Sequence, residues 1–97
     1  MLTLTAISAT NAATVQSDGP ALACNEPAPF RNFAVLAEKT DILNMTLYTQ
    51  MLVKARDCLI LPAGTKVHIV GAHAELPLTE ISRKGKLLYV LTPMIVE

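Results

Sequence analysis

The sequence predicts an α+β domain: an N-terminal extended arm, one or two short helices, and then a small antiparallel β-barrel. Three observations lead there. Residues 58–96 break into short β-type runs cut by Gly and Pro at close, regular intervals, the pattern of an all-β unit with tight turns. Residues 31–53 carry apolar groups at three- and four-residue spacing over good helix formers. Residues 1–29 are rich in Ala, Thr, Ser, Asn and Pro and hold few large apolar groups, a composition that gives a segment little to bury. With 97 residues there is room for one small domain. The expected bounds are 1–29 for a flexible or docked arm and 30–97 for the folded unit, its helical part at 31–53 and its barrel at 57–97.

Within the arm, residues 1–13 have the small-residue character of the end of a secretory signal. They lack a basic stretch and their apolar segment is short and rich in Thr, so they read as the tail of a signal or as a plain arm. Pro20, Pro27 and Pro29 interrupt regular structure. The stretch Ala21-Leu-Ala-Cys24 has a lipoprotein look, but Gln16-Ser-Asp-Gly-Pro20 stands before it where an apolar run is needed, which argues against lipid attachment.

A first helix is expected over 31–39, where Phe33, Val35, Leu36 and Ala37 follow the start signal of Pro29. Thr40 and Asp41 then supply a cap for a second helix over 42–53, with Ile42, Met45 and Leu52 on one face, flanked by Leu43, Leu47 and Met51. A strand competes for this stretch: Met45, Leu47, Thr49, Met51 and Val53 alternate, and Thr46 and Tyr48 suit a sheet. Length favours the helix.

The barrel follows from a turn at 54–57. Residues 58–61 form a short strand and 62–65 a tight turn in which Gly64 takes positive φ easily. In the next strand, 66–70, Val67 and Ile69 alternate with Lys66 and His68, as half-buried strands do. A loop at 71–77 leads to a strand at 78–82, a hairpin turn at 83–85 and a strand at 86–92. Pro93 breaks that run, and 94–96 ends the chain as an edge strand.

The run Cys58-Leu-Ile-Leu-Pro-Ala-Gly-Thr-Lys-Val-His-Ile-Val70, with the later Leu78-Thr-Glu-Ile-Ser82 and Gly85-Lys-Leu-Leu-Tyr-Val-Leu-Thr92, is similar to small bacterial SH3-like barrel modules. The likeness covers about 40 residues. Tyr89 stands where those modules carry a Trp, which leaves no aromatic groove for proline-rich ligands. The resemblance implies an SH3-like barrel and an interaction or cell-envelope module of bacterial or phage origin.

Acidic and basic residues balance at eight each, which argues against a nucleic-acid binder, whose phosphate contacts need an excess of Lys and Arg. No apolar run reaches the roughly 20 residues of a membrane span. His68 and His73, with Glu75 nearby, lack the third and fourth ligands that would converge on a metal, so no metal and no cofactor are expected. Cys58 with His68 and Asp57 spells a nucleophilic set on paper, but nothing around Cys58 would depress its pKa. No catalytic residues are expected, and the chain reads as non-enzymatic.

Cys24 and Cys58 permit one disulfide. It would close a loop of about 35 residues and stabilise by about 3–4 kcal/mol. Two unrelated thiols in a reducing cytosol, with Cys58 buried, are the open alternative. The apolar residues exceed what the barrel strands alone can hide: either the helices cover the surplus and all of it enters one core, or a residual patch is left as a partner surface, for which Met45, Tyr48, Met51, Leu52, Tyr89 and Met94 are the candidates. Two functions follow as expectations. One is a periplasmic or secreted protein-binding module. The other is a subunit of a homo-oligomer or a viral or secretion particle whose arm docks on a neighbour, in the cytoplasm or within the particle.

Overall fold

A computed structural model of the chain describes residues 12–73 and 75–97. The signal-like stretch therefore falls largely, over residues 1–11, outside the described residues. The described chain forms strands β1 (Ala12–Val15) and β2 (Ala21–Cys24), helices α1 (Ala28–Glu38) and α2 (Ile42–Lys54), then strands β3 (Cys58–Leu61), β4 (Lys66–Ala72), β5 (Leu78–Arg83) and β6 (Lys86–Leu91). A 3-10 turn, Thr92–Met94, leads into the short β7 (Ile95–Val96). All pairings are antiparallel, in the order β3-β2-β6-β5-β4-β1-β7.

The α+β class holds, but the hydrogen-bonded sheet is open. Its ends, β3 and β7, do not pair with each other among the described residues, so the expected closed barrel is replaced by a sheet that curls. The curl is visible in the core: Val15, Ala21, Ala23, Leu61, Val67, Ile81, Leu88 and Val90, drawn from six strands, share one buried cluster. Residues alternate in and out along each strand, and every inward residue is aliphatic and small or medium in size. Burying each large member contributes about 1.5–3 kcal/mol.

The segment expected as an arm supplies part of this sheet. Ala13 and Val15 of β1, and Ala21 and Ala23 of β2, are buried in the main core. Small side chains made these strands look unanchored in the sequence. Packed between neighbours, Ala suits a strand that must let its neighbours approach closely. The β1–β2 connection approaches the β3–β4 turn at Gly19, where an added Cβ would lie 3.3 Å from Ala63 Cα and 3.0 Å from a Val15 methyl carbon.

Helix α2 forms over the stretch that alternation also allowed as a strand. The Asp41 carboxylate accepts from the Asn44 backbone N–H at 3.2 Å and from the Asn44 side-chain amide at 2.7 Å, satisfying a free donor at the helix start. Both helices end without glycine. Thr40 (φ 54°) and Arg56 (φ 65°) sit in the left-handed region, and the pairs Thr40 N–H to Ala37 C=O, Asp41 N–H to Leu36 C=O, Arg56 N–H to Val53 C=O and Asp57 N–H to Leu52 C=O complete two Schellman closures. The β5–β6 hairpin turns on Lys84 (φ 54°) and Gly85 (φ 79°), the type I′ geometry that matches strand twist.

Candidate functional site

β2 and β3 pair in register from Ala21↔Leu61 to Cys24↔Cys58. The last pair is a disulfide, Cys24–Cys58, with a sequence separation of 34. Both half-cystines are buried. Beyond it the Asn25 N–H donates to the Asp57 C=O at 2.9 Å and the Asn25 amide to the Arg56 C=O at 3.3 Å. The two helices are therefore an insertion between adjacent strands, with the disulfide as its neck.

The insertion stands on the outer face of the sheet through a second buried cluster of Cys24, Phe30, Leu52, Cys58 and Leu78, with Leu22, Phe33, Tyr48, Leu76 and Tyr89 packed around it. This explains why β2 is apolar on both faces: Ala21 and Ala23 point into the main core, and Leu22 and Cys24 point to the helices. Phe33 and Tyr48 pack ring against ring at 5.0 Å, and the Tyr48 hydroxyl accepts from the Asn32 amide at 2.8 Å. Arg31 and Glu75 approach to 3.8 Å with both side chains well exposed, a contact that adds little.

Two apolar concavities result. An inner cleft of about 400 Å³ lies between the helices and the sheet, lined among others by Leu22, Phe30, Phe33, Met45, Leu76 and Leu91. The single polar side chain in its wall is Thr49, whose hydroxyl is already donated to the Met45 C=O at 2.8 Å. A shallower outer groove runs between α1 and α2, lined by Val35, Leu36, Asn44, Leu47, Tyr48 and Met51. Beside it, Leu43 (70% exposed), Leu47 (51%) and Met51 (57%) form one ridge at i, i+4, i+8, with Val35 (49%) across the groove.

Charge is missing from this surface. Between Asp41 and Lys54, α2 carries twelve residues without an ionisable group other than Tyr48, and Leu52 alone among them is buried. A helix exposed to water on most of its circumference is normally charged on its outer face. Here the exposed positions of α2 hold uncharged residues only, aliphatic Ile42, Leu43, Leu47, Met51 and Val53 beside polar Asn44, Thr46 and Gln50, up to Lys54.

The six candidate partner residues do not form one patch. Met51 lies on the outer ridge and Tyr48 in the groove wall, whereas Met45 lines the inner cleft. Leu52 is the buried anchor of α2. Tyr89 packs with the second cluster, edge-on to His73 at 6.1 Å, and Met94 packs on the main core. Leu43, Leu47 and Val35 complete the outer surface. The i+4 spacing of Leu43, Leu47 and Met51 was available in the sequence, but only the placement of Leu52 decides which way the helix turns.

The nucleophile of the paper catalytic set is not a free thiol. Cys58 is in the disulfide, and His68 is exposed on β4 opposite Ala12 and Ser82. His73 Nδ1 accepts from the Glu75 and Leu76 N–H groups, each at 3.1 Å, and so caps its own loop. Among the described residues no three His, Cys, Asp or Glu side chains come together as a metal site, and no helix is long and apolar enough to cross a membrane. No protein-family model matches this chain, and no curated protein or solved structure matches it either. The class its own geometry defines is an α+β fold in which a disulfide-necked helical hairpin rides on a curled antiparallel sheet.

Proposed function

We propose that this chain is a non-enzymatic protein-binding module whose binding element is the helical hairpin α1–α2. One observation carries the reading: the uncharged, largely exposed surface of α2, with Leu43, Leu47 and Met51 facing water and Val35 of α1 exposed across the groove. Adaptable Met and branched aliphatic groups around a shallow groove suit the apolar side chains of a protein partner. The sheet is then the platform, and a curled arrangement around Val67, Ile81, Leu88 and Val90 supports its kinship with SH3-like barrels in an opened form. The buried disulfide supports work in an oxidising compartment, periplasmic or secreted, of a bacterial or phage-encoded protein. Arm exchange with a neighbour draws less support, because residues 12–15 and 21–24 are spent on the chain's own sheet.

The test is site-specific photo-crosslinking in intact cells. A crosslinking amino acid at position 47 is expected to give a discrete protein adduct that disappears when Met51→Glu is added. The same group at exposed Lys66, on the sheet, is expected to give none. No protein adduct at 47, or equal adducts at 47 and 66, would sink the proposal. Thiol titration after denaturation without reductant checks the compartment: two free thiols would remove the oxidising setting.

A further inference from the structure

We infer that the partner of this hairpin is a second copy of the chain, packed α2 against α2 across a two-fold axis perpendicular to the helix. The inference rests on the protein-binding reading of the same face and goes further by naming the occupant.

A two-fold interface is isologous: each residue near the axis meets its own copy. A charge there would face a like charge in low dielectric, so a self-associating face must be neutral at its centre. Helix α2 meets that condition over residues 42–53. Its charges stand at the ends and are opposite in sign, Asp41 at the N-cap and Lys54 at the last helical position. Two copies of α2 running antiparallel would bring each Asp41 toward the other copy's Lys54, about 20 Å from the first along a helix of this length. The helix dipoles oppose favourably in the same arrangement. A heterologous partner would not require this self-complementary pattern.

Shape agrees with charge. The hairpin presents a ridge, Leu43-Leu47-Met51, beside a groove walled by Val35 and Leu36, so one surface holds both halves of a ridge-into-groove contact. The disulfide neck and the Phe30–Leu52 anchor hold both helices in place on the sheet before any encounter, which lowers the ordering cost of binding. A lipid surface fits less well. Helices that lie in a bilayer interface carry Lys and Arg along their polar face, and α2 has none before Lys54.

The experiment is sedimentation equilibrium of the full chain with its disulfide intact. The expected result is a reversible monomer–dimer equilibrium. Leu47→Glu should weaken association at least tenfold, by placing a like-charge pair near the axis. Leu47 is half exposed in the single chain, so far-UV circular dichroism and the unfolding midpoint at low concentration should stay as in the wild type. Lys54→Glu, which sets Glu against Asp41, should weaken dimerisation at low salt and less so at high salt. A wild-type chain that stays monomeric up to about 1 mM overturns the self-association. If the position-47 crosslink nevertheless captures a different protein, self-association falls while the protein-binding reading stands. A monomer that instead binds vesicles of phosphatidylglycerol and phosphatidylethanolamine through the same face overturns both.

Discussion

Thr40 and Arg56 hold the same place at the ends of α1 and α2, and each carries a Cβ in the left-handed region where glycine is the usual occupant. That conformation costs an ordinary residue about 1–2 kcal/mol, and a β-branched side chain such as Thr bears it worst. Substituting Thr40→Gly removes the clash but adds freedom to the unfolded chain, which takes back about 0.4–1 kcal/mol. The net expectation is a stabilisation of about 0.5–1 kcal/mol, read as a raised denaturant midpoint with unchanged slope. An unchanged or lowered midpoint would show that Thr40 is not held in this geometry. At the next residue the sign reverses. Asp41→Ala strips the cap of α2 and should cost about 1 kcal/mol in the same assay, with an unaltered midpoint counting against the cap. Asp41 was legible because a cap is a local event, a carboxylate three residues from the donor it satisfies. The closures at Thr40 and Arg56 were not legible, since their signature is a glycine and the chain has none there. The hairpin at Lys84 and Gly85 sits between: Gly85 announced the turn, and the positive φ of Lys84 follows only once β5 and β6 pair around it.

The elements differ in what fixes them. Over residues 42–53 alternation and helical spacing coincide, and the Asp41 cap with the i, i+4, i+7 line of Met45, Thr49 and Leu52 decides for a helix whose inner side faces the cleft and the second cluster. β1 and β2 were hidden for the opposite reason. Four residues of Ala and Thr with one Val, or of Ala with Leu and Cys, have no strong local preference, and they become strands because β4, β7, β3 and β6 offer them partners far away in the chain. The helical hairpin depends on its neck in the same non-local way. A 34-residue separation makes the Cys24–Cys58 bridge worth about 3–4 kcal/mol by restricting the unfolded chain. Replacing both cysteines by Ala should lower stability by about that amount in denaturant unfolding. Its local mark should be larger in the hairpin than in the sheet: amides of α1 and α2 are expected to lose hydrogen-exchange protection well before those of β5 and β6. A uniform loss across the molecule would mean that hairpin and sheet unfold as one unit and that the neck is not a separate hinge of stability.

At the scale of the molecule, the sheet and the hairpin are two packing problems joined by β2, and they can be separated. The main core takes nothing from the helices: its members are all on strands, with Met94 of the 3-10 turn packed against them. The second cluster takes Phe30 and Leu52, with Phe33 and Tyr48 beside them, from the helices, and the rest from the sheet's outer face and from Leu76 of the β4–β5 loop. The sequence could mark off a β-rich C-terminal part but could not reveal this division, because β2 and β3 are separated by both helices and look unrelated until they pair. Since Asn25 N–H already bonds to the Asp57 C=O across the neck, residues 25 and 57 are opposed as the two sides of a hairpin would be. Replacing residues 26–56 by Asn-Gly, the preferred two-residue connection of antiparallel strands, should therefore leave a chain that still folds. It loses the burial of Phe30 and Leu52 and exposes Leu22, Leu78 and Tyr89, so its stability should fall by several kcal/mol. Its β-type circular dichroism and cooperative unfolding should persist, held by Val15, Leu61, Val67, Ile81, Leu88 and Val90. It should also lose every crosslink and self-association assigned to the hairpin. A shortened chain with no cooperative transition would show that the helices are needed to hold the open sheet in its curl. The fold would then be a single inseparable core rather than a platform with a binding element set upon it.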